Sequence, residues 1–452
     1  MNTLATTPAR TVRPRPEKLT PTPDSRSNTP MIIAIDARPL VTRQVGGAEQ
    51  RARNLLAAWA ASSRAGGAAG AHEFHLIYAR PDDDDAFDDS SFAELPWNFH
   101  PLEIGRFAMP LPFPTGSRVL NALSRALARV RPDVYHAFTP VIPRTRLCPV
   151  VPTLHDLSYE LDPLVRRTRE ARILRRAAAA SVRFADRFIA VSSQTKSDAE
   201  AIYRIPPAKI DVIYNGIDPV FQPAADLPVR AKIHAENDIN GPYILAVGAD
   251  IPRRNYARML LAMRRVWASP DLRRPPLWVL AGRDDWKMSD LYAEARAAGV
   301  LDKLRFVAGP ANAELASLYR AATLTCCASS FEGFGLSVLE SMACGTAVCC
   351  SDMRSLREVA NDAAVYFPHD DADAMGQVIA GLLEDAEYRR QLKYRGLYRA
   401  SLFTWATAAD LTLQSLAAVV QHQNPTGHAF KGHPAAPAAD RPGESPASRT
   451  SH

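Results

Sequence analysis

Two glutamates stand eight positions apart in the run Glu332-Gly333-Phe334-Gly335 to Glu340. A loop that opens onto a helix N-terminus offers backbone N–H groups and a positive dipole end to an anion. Gly333 and Gly335 let the main chain approach a ligand closely. An ordinary turn fits the same residues. In that case Glu332 is a solvated loop residue, and Ser337-x-x-Glu340 is a capping box whose glutamate only ties off a backbone donor. A second motif, Gly248-Ala249-Asp250-Ile251-Pro252-Arg253-Arg254-Asn255, sets two adjacent cations at another helix start, an anion clamp. Gly46 and Gly47 precede a third helix, as a phosphate-approachable entrance or a plain turn. His155 follows a strand-like run and precedes Asp156, a place where a histidine serves structure as readily as chemistry.

These residues need a frame that gathers them. From Ile32 to Tyr214, short apolar runs alternate with helix-length amphipathic ones. Strands are expected at 32–35, 74–78, 134–137, 150–154, 188–191 and 210–214, and helices at 48–60, 117–130, 166–184 and 194–203. Residues 215–241, with Pro223 and Pro228, read as a linker. The alternation then restarts, with strands at 243–247, 278–281, 305–307, 324–326, 347–350 and 364–367. Helices are expected at 256–267, 290–297, 313–322 and 355–360, the last with its own box, Ser355-x-x-Glu358. This is the pattern of an α/β protein with doubly wound, mostly parallel sheets, whose ligands bind at the carboxyl ends of the strands. No G-x-G-x-x-G follows the first strand, which counts against a nicotinamide dehydrogenase.

The run from Glu332 to Val348 resembles the donor-site signature of retaining glycosyltransferases with the GT-B fold, in particular family 4 (group 1). That signature has E-G-F-G, a second glutamate eight positions on, then a helix and A-C-G-T-P-V. Here Ala343-Cys344-Gly345-Thr346-Ala347-Val348 closes it. The resemblance extends from Met31 to Val420. It implies two Rossmann-like domains facing across a cleft: 31–214 for the acceptor and 242–403 for the donor nucleotide, with a helix at 404–421 crossing back. By the same resemblance Glu340 holds ribose hydroxyls, Glu332 holds those of the donor sugar, and Arg253 and Arg254 grip the diphosphate. His155 and the Gly46-Gly47 loop approach sugar and phosphate from the other domain. Gly248, Val307, Gly333, Phe334, Gly335 and Leu336 complete the donor-binding set. Arg254 stands where relatives carry lysine, so a planar fork replaces a point charge. Ser337 stands where many carry proline.

The implied reaction is transfer of a hexosyl group, with retention, from a nucleoside diphosphate sugar to a glycan or lipid-linked acceptor in surface polysaccharide assembly. Neither a metal nor a cofactor is expected. The opening Ile33-Ala34-Ile35-Asp36-Ala37-Arg38-Pro39-Leu40 is similar to mannosyltransferases, which favours GDP-mannose, with UDP-glucose the alternative. A sugar-nucleotide epimerase and a catalytically silent nucleotide-binding protein are the rival readings.

Composition bounds the rest. A chain of 452 residues suits two domains, and 47% hydrophobic with 23% charged residues is a globular balance. The net charge of +6 suits anionic small molecules or an anionic surface, and no basic stripe interleaves with aromatics as nucleic-acid binding requires. Arg166, Arg167, Arg169, Arg172, Arg175 and Arg176 gather in one helical stretch, as a solvated face or a contact with anionic headgroups. The acid run Asp82 to Asp85 reads as a solvated loop. Six cysteines in apolar runs without a C-x-x-C suggest buried thiols in a reducing compartment. With no apolar run long enough to span a bilayer, a cytoplasmic protein, peripheral at the inner membrane face, is expected. Residues 1–30 and 422–452 lack apolar periodicity and read as disordered, the first as an extension ahead of a start near Met31.

Overall fold

A computed structural model describes residues 29–41, 47–79, 98–102, 117–163, 165–225, 227–270, 272, 274–282 and 289–423. In the first lobe the strands are β1 (Ile32–Asp36), β2 (Glu73–Ala79), β3 (Asn98–Leu102), β4 (Val134–Ala137), β5 (Val150–Leu154), β6 (Phe188–Ala190) and β7 (Ile210–Val212). They form one seven-stranded parallel sheet in the order β3-β2-β1-β4-β5-β6-β7. Helices α1 (Gly47–Arg64), α2 (Ser117–Val130), α3 (Arg169–Phe184) and α4 (Ser193–Tyr203) lie between them. Strands β4 and β5 are buried along their whole length, as a sheet covered on both faces requires.

The second lobe repeats the plan. Strands β8 (Tyr243–Val247), β9 (Leu277–Gly282), β10 (Leu304–Ala308), β11 (Leu324–Cys327), β12 (Val348–Ser351) and β13 (Ala364–Phe367) run β10-β9-β8-β11-β12-β13, all parallel. The order reverses between β8 and β11. The loops leaving those two strands diverge there and open a crevice at the carboxyl edge. The six cysteines are free and buried; Cys326 pairs in register with Cys349, and Cys327 with Cys350.

Two stretches cross side by side between the lobes. The Ile217 N–H donates to the Phe403 carbonyl at 3.0 Å. A Cβ on Gly216 would stand 2.2 Å from the Trp405 nitrogen, so only glycine lets the stretches touch. Helix α12 (Trp405–Gln423) then returns to the first lobe. Its Leu413, Leu416 and Ala417 share a core with Ile33, Leu55 and Trp59. Trp59 Nε1 donates to the Ala409 carbonyl at 3.1 Å.

Several elements depart from the sequence pattern. The stretch 215–241 is not a plain linker: it holds α5 (Leu227–Glu236), which anchors Ile233 in the second lobe's core. Strand β3 and helices α10 (Ala372–Glu384) and α11 (Ala386–Ala400) were not expected. The arginine-rich stretch is broken at Thr168, whose Oγ1 accepts from the Ala171 N–H at 3.1 Å and caps α3 after a short turn at Val165–Arg167. Residues 1–28, Gly46, Asp82 to Asp85 and 424–452 lie outside the described residues.

Candidate functional site

The chemistry-bearing residues meet at the second lobe's switch point. After β8 the chain makes a tight turn at Pro252–Arg254, then Asn255, left-handed at φ 60°, leads into α6 (Tyr256–Ala268). Both guanidinium groups turn to one carboxylate. Arg254 Nη1 donates to Glu332 Oε1 at 2.5 Å and Arg253 Nη1 to Oε2 at 3.2 Å. Ser329 Oγ donates to Oε1 at 2.8 Å. Burial alone would raise the Glu332 carboxyl, but Arg254 and then Arg253 outweigh it and hold it below the usual range. Two cations around one anion leave the cluster positive. Gly248, at φ 132°, is needed because a Cβ would stand 2.5 Å from Arg254 Nε. That Nε is buried without a hydrogen-bond partner.

The loop after β11 ends at Gly335, left-handed at φ 101°, which starts α8 (Leu336–Ala343) without a side-chain cap. A Cβ there would strike Leu356 Cδ2 at 2.4 Å. The Leu336 and Ser337 amides at the start of α8 have no acceptor within the helix, while the Val338 N–H donates to the Gly335 carbonyl at 3.1 Å, so those two amides and the helix dipole face the loop. Glu340 does not close a capping box with Ser337. Its Oε2 accepts from the Tyr319 hydroxyl at 2.9 Å and its Oε1 from Gln50 Nε2 at 3.2 Å. Tyr319 comes from α7 (Asn312–Ala321) and Gln50 from α1 of the other lobe. Burial pushes the Glu340 carboxyl above its usual value, and these two bonds offset only part of that. The second expected box also fails. Ser355 Oγ donates to the Glu332 carbonyl at 2.6 Å, and the Glu358 carboxylate reaches into the first lobe.

The first lobe brings His155 from the end of β5. Its Nε2 lies 2.8 Å from the Phe138 carbonyl, which can only accept, so Nε2 carries the proton and Nδ1 keeps its lone pair. Nδ1 points to Gly47, 3.8 Å from where a Cβ there would stand. Burial, then the nearby Arg51, push His155 down to about 4, so it is neutral at ordinary pH. The lobes touch here: a Cβ on Gly333 would lie 1.9 Å from the His155 carbonyl oxygen. The Gly333 carbonyl accepts from Ser192 Oγ at 2.6 Å.

Two expected donor contacts are placed elsewhere. The Phe334 ring is buried between Tyr214 and Phe403, at 6.0 Å and 5.9 Å centroid distances, leaving only its main chain toward the loop. Val307 is buried in the core on β10, two strands away from the switch point. Gln50, Tyr319, Ser329 and Ser192 were not singled out from sequence. Ser329 alone carried a local signal, three residues before Glu332. Among the described residues no group of three or more His, Cys, Asp or Glu is placed to hold a metal ion, and no helix is long and apolar enough to cross a membrane.

Comparison with known proteins agrees with this fold. Residues 229–398 match the family model for glycosyl transferases group 1, and residues 45–221 match that for glycosyltransferase family 4. The O-antigen chain mannosyltransferase B of Escherichia coli is 28% identical over 293 residues, covering 64% of this chain and 75% of that one. A D-inositol 3-phosphate glycosyltransferase of Kribbella flavida is 30% identical over 241 residues, covering 51% of this chain and 56% of its own length. Among solved structures, sucrose-phosphate synthase from Thermosynechococcus elongatus superposes with a TM-score of 0.66 at 22% identity, over 85% of this chain and 97% of that one. Anabaena Alr3699/HepE in complex with UDP-glucose gives 0.63 at 17% identity, over 86% and 100%. At those identities the solved structures speak for the GT-B fold alone.

Proposed function

The chain belongs to the group 1 glycosyltransferases of family 4, and from that premise we propose that it moves a hexosyl group, with retention of anomeric configuration, from a nucleoside diphosphate sugar to a hydroxyl of a glycan or lipid-linked acceptor. One observation carries this reading: Arg253, Arg254 and Glu332 converge at the switch point, where the Glu332-Gly333 loop meets His155 of the opposite lobe. The hard step is departure of the diphosphate as the sugar gains oxocarbenium character. Its charge is met by the two arginines and the first amides of α8. Each guanidinium has five N–H donors, so it can keep Glu332 and grip phosphate together. Glu332, held ionised and oriented, accepts from donor-sugar hydroxyls. Glu340 accepts from the ribose, and His155 offers Nδ1 to a sugar hydroxyl. No carboxylate is placed as a nucleophile by this reading, so the acceptor attacks from the front face and its proton leaves with the phosphate.

The kinship with a mannosyltransferase supports mannose, and GDP-mannose is the donor proposed. Arg166, Arg167, Arg169, Arg172 and Arg176 are exposed on and just before α3, and we propose that they rest on anionic headgroups to meet a lipid-linked acceptor. The test is a panel of nucleotide sugars by thermal shift, followed by turnover and NMR of the product anomer. Stabilisation by GDP-mannose and a retained anomer are expected; a UDP-sugar preference moves the donor to UDP-glucose, and nucleotide binding without turnover on any acceptor ends the enzyme reading. Within it, Glu340→Ala should weaken nucleoside diphosphate binding by roughly 10- to 100-fold, the loss of about 1.5–3 kcal/mol of charged hydrogen bonding. Arg253→Ala should spare substrate binding more than rate, with kcat down by about 100- to 1,000-fold. Titration calorimetry and steady-state kinetics separate the two, and the reverse order refutes the assignment.

A further inference from the structure

A carboxylate of the second lobe sits on a helix end of the first. Glu358, on α9 (Arg354–Ala360), accepts from the Ser193 backbone N–H at 2.7 Å through Oε1 and 3.0 Å through Oε2. It lies 3.4 Å from the Gln194 N–H, and its Oε1 also accepts from the Tyr214 hydroxyl at 2.7 Å. A helix leaves its first four N–H groups without intrahelical acceptors. In α4 the cap residue Ser192 satisfies Thr195, its Oγ accepting from that N–H at 3.0 Å. The next two amides take their acceptor from 165 and 164 residues further along the chain, across the cleft. Negative charge at a helix N-terminus makes these charge-assisted bonds.

The same helix start touches the donor loop, because Ser192 Oγ donates to the Gly333 carbonyl at 2.6 Å. Tyr214 joins the two contacts. Its hydroxyl is on Glu358, while its ring packs on Phe334 of the donor loop and on Phe403 at the second crossing. Arg399 braces α9 by donating to the Glu358 and Val359 carbonyls at 2.6 and 2.8 Å. We infer that Glu358 is a positioning residue for transfer: seated on α4, it sets the spacing of the closed lobes and so holds Gly333 and Glu332 against His155, a role that rests on reading the cleft as a glycosyl-transfer site. A nucleotide held by the second lobe does not sense this seat. The reacting geometry, which needs both lobes and an excluded solvent, does.

The experiment pairs a distance with a rate in the full chain. Spin labels on Arg64→Cys and Glu384→Cys, both exposed and on opposite lobes, report separation, while the six native thiols are buried. Glu358→Ala removes the acceptor. Ser193→Pro removes the donor at the first helical position, where proline is tolerated, and Ser192 is already extended at φ −157° and ψ 161°. Both variants should widen the distance distribution with nucleoside diphosphate bound. They should lower kcat by about 10- to 100-fold, as small misplacements do, with nucleotide affinity unchanged. Glu358→Gln, which keeps an oxygen for the amides, should recover most of the rate. Ser193→Pro keeps the test open should Glu358→Ala not fold. Wild-type distances and kcat in both variants would overturn the inference. So would a loss of kcat in Glu358→Ala with unchanged distances and a normal Ser193→Pro. The distance needs no turnover, so failure of the transferase reading and failure of the seat are told apart.

Discussion

Glu332 and Glu340 are the same residue type in one short run, and their surroundings push them in opposite directions. Glu332 sits among cations and ionises more readily than usual; Glu340 is buried against neutral donors and resists ionisation. One substitution, Glu→Gln, should therefore have opposite effects on stability at the two places. The folded carboxyl of Glu332 is depressed, so its contribution is present above the unfolded value and is lost as pH falls through the folded one. At pH 7.5 Glu332→Gln strands Arg253 and Arg254 without a countercharge and should cost about 3–5 kcal/mol, the usual effect of breaking a buried ion pair. Glu340 is raised, so its favourable contribution is complete below the unfolded value and is lost as pH rises through the folded one. Glu340→Gln should raise the melting temperature at pH 7.5, with roughly 2–4 °C for each 1 kcal/mol recovered. The Gln50 amide can turn over to meet the new NH2. The gain should vanish below the ordinary carboxyl value of 4.5, where both states are protonated. Thermal denaturation of the two variants across pH 4 to 8 checks this, and shifts of the same sign at pH 7.5 would contradict the electrostatic account.

At the scale of elements, the loop from Ser329 to Gly335 joins the second lobe's crevice to the first lobe, and Gly333 is there for contact. Gly333→Ala would place a methyl on the His155 carbonyl at 1.9 Å, contact that backbone cannot yield without the lobes parting. Each lobe keeps its own sheet, so the melting temperature should change little while kcat falls by about 100-fold, the scale of a 1 Å misplacement. Kinetics beside calorimetry test it; an active variant means that the lobes need not touch. This loop was legible in the sequence because its signals are local: paired glycines beside a glutamate and a run that opens a helix. Its partners were not. Gln50 and Tyr319 reach Glu340 from other elements, and spacing says nothing of a contact 290 residues away. Neither capping box forms, for one reason: the helices start two residues early, with Gly335 and Met353 at the cap, so Ser337 and Ser355 lie inside the first turn and Glu340 and Glu358 take tertiary donors instead. Helix α11 was missed because its sequence, rich in Arg and Tyr, carries little apolar periodicity. Strands such as Ile32–Asp36 and Tyr243–Val247, by contrast, show as short buried apolar runs bounded by turn residues.

At the scale of the molecule, the last described helix packs on the lobe that holds the first described strand. Helix α12 follows the second lobe in sequence but buries Leu413, Leu416 and Ala417 against Trp59, Ile33 and Leu55 of the first. Ser415 Oγ adds a bond to Asp211 at the end of the first sheet, at 2.7 Å. The first lobe's core thus depends on a segment that follows the second lobe in sequence, and its stability is separable from the nucleotide site. Leu416 is fully buried, and Leu416→Ala should cost about 2–5 kcal/mol by leaving a cavity. The loss should fall on the first lobe alone. The groups proposed to hold the nucleoside diphosphate, Arg253, Arg254, Glu340 and the first amides of α8, lie on the second lobe, so nucleoside diphosphate affinity should stay near wild type. A ligand that binds only one folded unit raises the transition of that unit by mass action. Calorimetry of Leu416→Ala with and without nucleoside diphosphate should therefore resolve a lowered first transition that the nucleotide does not move, and a second that it raises. A single transition raised by nucleotide as in the wild type would mean that the two lobes melt together, and that the crossing stretches at 215–217 and 403–405 couple them more tightly than their two strands of chain suggest.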